Sequence, residues 1–333
     1  MGLESQGFRT LLPLREYPFR IKHSDPIIFW GSCFAEHMAQ KMRSAKFETV
    51  LNPLGITYNP HSIAQGIRQT FTGETLNEGN LFEANGLWHS FDFHSRFSHP
   101  NKDLALSGMN HSIRNAHSFW QQAKVLIVTL GTATAFRQLE EGQVVNNCHK
   151  LPASVFKKTR LEIGGMKDGL LQTFTMLKEK QESLQIILSV SPVRHIKDGL
   201  VENQRSKAAL LLLAEALENT LDFVHYFPAY EWIMDDLRDY RFFESDLVHP
   251  NAQAVDYVWK HFQQSFFTAD TQQLMKRIGS IVQASQHRPF HPNTPQHQQF
   301  LKLQLEKIAG LKKEHPALDF SEEENYFKGV SQQ

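Results

Sequence analysis

The sequence predicts an α/β fold: a three-layer α/β/α sandwich around a central parallel sheet, with a helical appendage at the C-terminal end. Three observations carry this expectation. Short apolar runs recur at Ile27–Trp30, Phe47–Leu51, Lys124–Leu130, Gln185–Val190 and Asp222–Phe227. Amphipathic segments of helical period separate most of them. The run Lys124–Leu130 is almost continuously apolar, as a strand covered on both faces should be. Strands alternating with helices of this size pair in parallel through right-handed crossovers, which gathers the strand C-terminal ends on one edge.

Each element follows from local signals. The first strand stops at Gly31, presents Ser32 and passes into a helix whose Phe34, Met38, Met42 and Ala45 share one face. The second strand, Phe47–Leu51, ends at Asn52-Pro53-Leu54-Gly55-Ile56-Thr57-Tyr58-Asn59-Pro60, a loop dense in turn residues. A helix follows over Ser62–Thr72, and residues 73–100 read as irregular. Helices are expected over Leu104–Gln122, Met166–Gln181 and Gln204–Asn219, each ahead of a strand, and a last one over Ala252–Phe267 after Pro250. Asp235–Arg241 reads as a charged helix end. Beyond Phe267 come a polar helix over Thr271–Gln286, a break at His287–Asn293, a Gln- and Lys-rich helix over Gln296–Lys313 and an acidic tail. The expected division is one domain over 1–267 and a helical extension over 268–333 that carries no chemistry but offers surface for packing or self-association.

Composition narrows the function. The 333 residues suffice for one large core or two modest ones, and 41% hydrophobic with 21% charged residues is ordinary for a globular protein. The 35 Lys and Arg balance the 35 Asp and Glu, so no bulk field holds nucleic acid or an anionic membrane. The 2 cysteines make neither a disulfide framework nor a cysteine zinc cage. Residues 1–6 include Glu4 and lack an apolar core, so no signal peptide is read there, and Gln6 stands where a myristoylation signal needs Ser or Thr. No apolar stretch approaches a membrane span. A soluble cytoplasmic protein is expected, without cofactor, metal, nucleic-acid or membrane partner.

Ser32 admits two roles. A serine between a strand end and a helix start is a favoured N-cap, and it is also placed where helix amides meet developing negative charge. As a nucleophile it needs a base, and Asp246-Leu247-Val248-His249 supplies one ahead of the last helix of the domain. The carboxylate can orient one ring nitrogen while the other faces the hydroxyl. This pairing points to Ser32 as nucleophile, His249 as base and Asp246 as orienter. Cys33 is a competing nucleophile if the helix terminus lowers its thiol pKa, and a small buried hydrophobe otherwise. Alternation along Trp88–Ser95 puts Asp92 and His94 on one strand face, for substrate contact or, with a third ligand, for a metal; no compact metal motif supplies that ligand. Arg194, after a strand, offers a forked donor to a carboxylate or phosphate. Cys148-His149 reads either as cleft lining or as plain loop structure.

The chain resembles the GSCFA family, whose members are similar to the SGNH (GDSL-type) hydrolases. Gly31-Ser32-Cys33-Phe34-Ala35 carries the resemblance, with Asn52–Pro60, Ser90–Ser95, Thr129–Ala133, Asn147–Lys150, Ser191–Arg194 and Asp246–Pro250, over roughly residues 20–265. It implies an SGNH-like sandwich and a Ser-His-Asp hydrolase or acyl-transfer site acting on a small-molecule or glycan ester. It also implies an oxyanion hole built from Ser32 and Gly55. Gly131-Thr132-Ala133 stands where such enzymes carry an oxyanion asparagine. Thr132 is the expected substitute, with Asn59, Asn147 or His149 reaching in from loops as alternatives. Asn59, Asp92, His94, Asn147, His149 and Arg194 are the expected substrate-side residues. The absent asparagine also leaves open a non-catalytic or acyl-transferring member that binds a glycan or peptide.

Overall fold

The structure is a computed structural model that describes residues 10–287 and 289–329. The reading of residues 1–6 lies outside them, as does Arg288 in the expected break. In chain order, β1 (Ile27–Gly31) leads to α1 (Cys33–Ser44), β2 (Thr49–Leu51), α2 (Pro60–Thr72), a hairpin of β3 (Phe82–Ala84) and β4 (Leu87–His89), α3 (Lys102–Trp120) and β5 (Val125–Leu130). Then come β6 (Thr134–Gln138), β7 (Val144–Val145), β8 (Phe156–Arg160), α4 (Ile163–Lys180), β9 (Gln185–Val190), α5 (Leu200–Glu218) and β10 (Val224–Tyr226). A short α6 (Ala229–Glu231), α7 (Ala252–Phe266), α8 (Ala269–Ser285), α9 (Pro295–Glu314) and α10 (Ser321–Phe327) follow among the described residues.

The central sheet has 5 strands in the order β10-β9-β5-β1-β2, all parallel. Numbered within the sheet, this is the doubly wound order 2-1-3-4-5. The chain reverses its direction of winding between β1 and β5, so their carboxyl ends flank the switch point of the sheet. Ser32 directly follows β1 at that point.

Residues of β1 alternate between two cores, as the strand period requires. Ile28 and Trp30 join a cluster with Ile63, Met109, Phe174 and Leu210, from α2, α3, α4 and α5. Ile27 and Phe29 join the opposite cluster with Phe34 and Met38 of α1 and Val258 and Phe262 of α7. A sheet covered on both faces is the three-layer α/β sandwich. The C-terminal helices hold a third core of Leu274, Ile278, Ile281, Ile308, Leu311, Leu318, Phe320 and Phe327. A largely buried ion pair, Lys46 Nζ to Glu323 Oε2 at 2.8 Å, ties α10 to the turn after α1.

Several segments differ from expectation. Residues 73–100 contain the β3–β4 hairpin, and residues 134–160 form a 3-stranded antiparallel sheet, order β7-β6-β8. Asp235–Leu237 belong to a wide helical turn, and the acidic tail folds as α10 because Phe327 and Phe320 are drawn into the C-terminal core. No described helix is long and apolar enough to cross a membrane.

Candidate active site

The turn that presents Ser32 is built by close backbone approach. Gly31 has φ +135°, and a Cβ there would lie 2.1 Å from the carbonyl oxygen of Thr129 on β5. Only glycine fits. Asn52, fully buried just past β2, clamps the same residue: its Oδ1 accepts the Gly31 amide at 2.8 Å and its Nδ2 donates to the Gly31 carbonyl at 3.1 Å. Ser32 is buried (2% exposed) and caps α1, its Oγ accepting the Phe34 amide at 3.3 Å.

The base comes from the loop before α7. Asp246 Oδ2 accepts His249 Nδ1–H at 2.7 Å, while its Oδ1 accepts the amides of Val248 at 2.8 Å and His249 at 3.0 Å. These bonds, the His249 amide first and its ring next, hold the Asp246 carboxyl down to about 2. The loop is braced against the sheet where the Arg194 amide donates to the Val248 carbonyl at 3.3 Å. Ser32 Oγ keeps its capping bond and makes none to His249 in this arrangement.

Two residues that sequence reasoning missed complete the surroundings. Tyr58 puts its hydroxyl 3.9 Å from Cys33 Sγ and meets the His195 ring edge-on at 5.8 Å between centroids. Lys207, on α5, is buried (1% exposed) and donates to the carbonyls of Gly131 at 2.6 Å and Ser191 at 2.7 Å, just past β5 and β9. Its position was readable: Asn203, Leu210, Ala214 and Leu217 lie on the same buried face of α5. Burial pushes the ammonium down to about 7 from 10.5. Between those values the unfolded chain binds more protons than the folded one, so this group makes stability rise with pH from about 7 upward. Urea unfolding at pH 6.5 and pH 9 should show that rise as a higher midpoint at pH 9 (both chosen to bracket about 7). Lys207→Met is expected to flatten it; an unchanged difference between the two midpoints would assign the titration to another group.

The remaining expected residues fall into place as follows. The Gly55 amide donates to the Asn52 carbonyl at 2.8 Å, and the Thr132 hydroxyl lies 3.0 Å from Ser206 Oγ and accepts the Thr134 amide at 3.1 Å. Asn59 caps α2, accepting the Ser62 amide at 2.9 Å and donating to Ser62 Oγ at 3.0 Å. Asn147 Oδ1 accepts the His149 amide at 2.8 Å. His149 is buried, with Nε2 2.8 Å from the Ser90 carbonyl and Nδ1 3.3 Å from Ser95 Oγ, and burial pushes it down to about 4. Arg194 stacks over Phe243 at 4.3 Å and Tyr240 at 4.9 Å, beneath the base loop.

Asp92 and His94 do not share a strand face, because β4 stops at His89 and a turn follows. Asp92 accepts from Gln65 Nε2 at 3.0 Å, and the His94 Cβ packs where a Gly55 side chain would stand. Burial raises the Cys33 thiol, against the lowered pKa that its reading as a nucleophile requires. Among the described residues no group of three or more His, Cys, Asp or Glu is placed to hold a metal. A groove of about 1440 Å³ lies apart from this chemistry, between α1 and the C-terminal helices, where Arg277 and Glu314 already pair with each other.

Among solved structures, the chain is similar to a candidate acylhydrolase from Bacteroides fragilis, at 9% identity over 78% of this chain and 91% of that one, with a TM-score of 0.40. It is similar to a candidate GDSL-like lipase from Parabacteroides merdae, at 11% identity over 75% and 98%, TM-score 0.39. An acetyl xylan esterase from the rumen bacterium Butyrivibrio proteoclasticus matches at 12% identity over 78% and 66%, TM-score 0.38. A comparison with curated proteins finds no match. The profile of the GSCFA domain protein C-terminal domain matches residues 278–329, and that of the GSCFA family matches residues 26–262. Because the latter spans more than half of the sequence, the chain belongs to the GSCFA family.

Proposed function

We propose that the chain is a serine-dependent hydrolase of ester-linked acyl groups on a small molecule or glycan, with Ser32 as nucleophile, His249 as base and Asp246 as its orienting carboxylate. The observation that carries this reading is the 2.7 Å bond from His249 Nδ1 to a carboxylate fixed by two backbone amides. With the proton assigned to Nδ1 by that bond, Nε2 is the basic nitrogen, and in this reading it takes the Ser32 proton.

The chemistry proceeds in two halves. Ser32 Oγ leaves its cap and attacks the acyl carbon while His249 Nε2 takes its proton. The bond from the acyl carbon to the alcohol oxygen then breaks, and the alcohol leaves with that proton. Water, deprotonated by the same nitrogen, attacks the acyl-enzyme; the Oγ–carbon bond breaks, the acid departs and Ser32 regains its proton. Releasing an N-cap costs about 1 kcal/mol, little beside a chemical barrier, so the capping bond is no obstacle.

A fluorophosphonate reagent is expected to label the protein at Ser32, found by mass spectrometry of the labelled peptide, and the same preparation should hydrolyse 4-nitrophenyl acetate. If neither occurs, the reading fails and a non-catalytic glycan or peptide binder on the same fold takes its place.

A further inference from the structure

We propose that the Tyr58 hydroxyl is the side-chain donor of the oxyanion hole, standing in for the asparagine absent from Gly131-Thr132-Ala133. The proposal rests on Ser32 being the nucleophile. Three of the donors expected from sequence already have partners: the Gly55 amide on the Asn52 carbonyl, the Asn59 side-chain amide on Ser62 Oγ at the α2 cap, and the Thr132 hydroxyl beside Ser206 Oγ of α5. Asn147 is anchored away from Gly131 by its amide on the Phe91 carbonyl and by the His149 amide on its Oδ1. Both ring nitrogens of His149 are engaged as well.

Tyr58 is seated against the vacant position. Its carbonyl accepts the amides of Gly131 at 2.8 Å and Thr132 at 3.0 Å, which fixes its backbone beside the end of β5. From there its side chain extends to the start of α1, where the hydroxyl reaches Cys33 Sγ, the residue after the proposed nucleophile. A thiol at 3.9 Å is a weak partner and leaves the phenol with donor capacity for a stronger acceptor. An oxyanion beside the first turn of α1 is such an acceptor, since hydrogen bonds to a charged oxygen are about twice as strong as neutral ones. Burial and the neighbouring thiol push the phenol pKa up, so the hydroxyl keeps its proton at neutral pH. No bond to Tyr58 forms or breaks in the reaction.

Tyr58→Phe deletes this donor and keeps the ring. For 4-nitrophenyl acetate, kcat is expected to fall about 10²–10³-fold with KM little changed, the loss measured when one oxyanion donor is removed. Labelling of Ser32 by the fluorophosphonate should continue at a reduced rate, and the urea midpoint should stay near that of the parent protein. A kcat within a few-fold of the parent, a change confined to KM, or a loss that tracks a lowered urea midpoint would overturn the proposal. A parent protein that neither turns over the ester nor takes the label overturns the Ser32 assignment itself, a different failure that is seen before any variant is made.

Discussion

Ser32→Ala is expected to lower kcat for 4-nitrophenyl acetate by about a millionfold, the scale on which a serine hydrolase loses rate without its nucleophile. The same substitution removes the cap of α1, where Ser32 Oγ holds the Phe34 amide. An N-cap serine replaced by alanine costs only about 1 kcal/mol. A domain of ordinary stability survives that loss, so the variant should remain folded with a slightly lower thermal midpoint. The two magnitudes separate the two roles of one oxygen. If activity persists in folded Ser32→Ala protein, the nucleophile is another residue.

Gly31→Ala should have the opposite signature, a loss of the fold itself. The added Cβ would stand 2.1 Å from the Thr129 carbonyl oxygen and 2.9 Å from its carbon, and both atoms belong to a central strand. Backbone in the middle of a sheet cannot give way as a side-chain tip can. With φ at +135° the conformation is also strained for any L side chain. Together these place the substitution among the exceptional ones, at a cost of more than about 4 kcal/mol. Gly86→Ala is the matched control, since its φ is also positive, at +72°, but nothing lies within 4 Å of the new carbon. It should cost about 1–2 kcal/mol, the backbone strain alone. Urea unfolding of both variants checks the contrast, and a mild effect at Gly31 would mean that β1 and β5 can separate at that point.

Residues whose role depends on their immediate neighbours were legible in the sequence. Ile27–Trp30, Val125–Leu130 and Gln185–Val190 are apolar enough to be buried on both faces, and all three are central strands of the parallel sheet. The bond from Asp246 to His249 spans three residues of one loop, so spacing alone anticipated it. What depends on distant partners was not legible. The β6–β8 sheet pairs short polar strands such as Phe156–Arg160, whose mostly exposed side chains show no apolar alternation. Histidine 149 is hydrophilic by type, yet it is buried between Ser90 and Ser95, more than fifty residues away in sequence. Lys207 gave a signal in its helical phase, but a lysine on an apolar stripe reads as one that snorkels to solvent. Nothing local announces that two strand-end carbonyls will receive it.

Asn52 also explains how the turn that presents Ser32 is held where the sheet runs out. Here β2 ends at Leu51, and one side-chain amide takes over bonds that a longer neighbour would make, accepting the Gly31 amide at 2.8 Å and donating to its carbonyl at 3.1 Å, while the returning Thr57 amide shares that carbonyl at 3.2 Å. The footing of the candidate nucleophile is therefore tied to one short loop, residues 52–57, and does not depend on how far β2 extends.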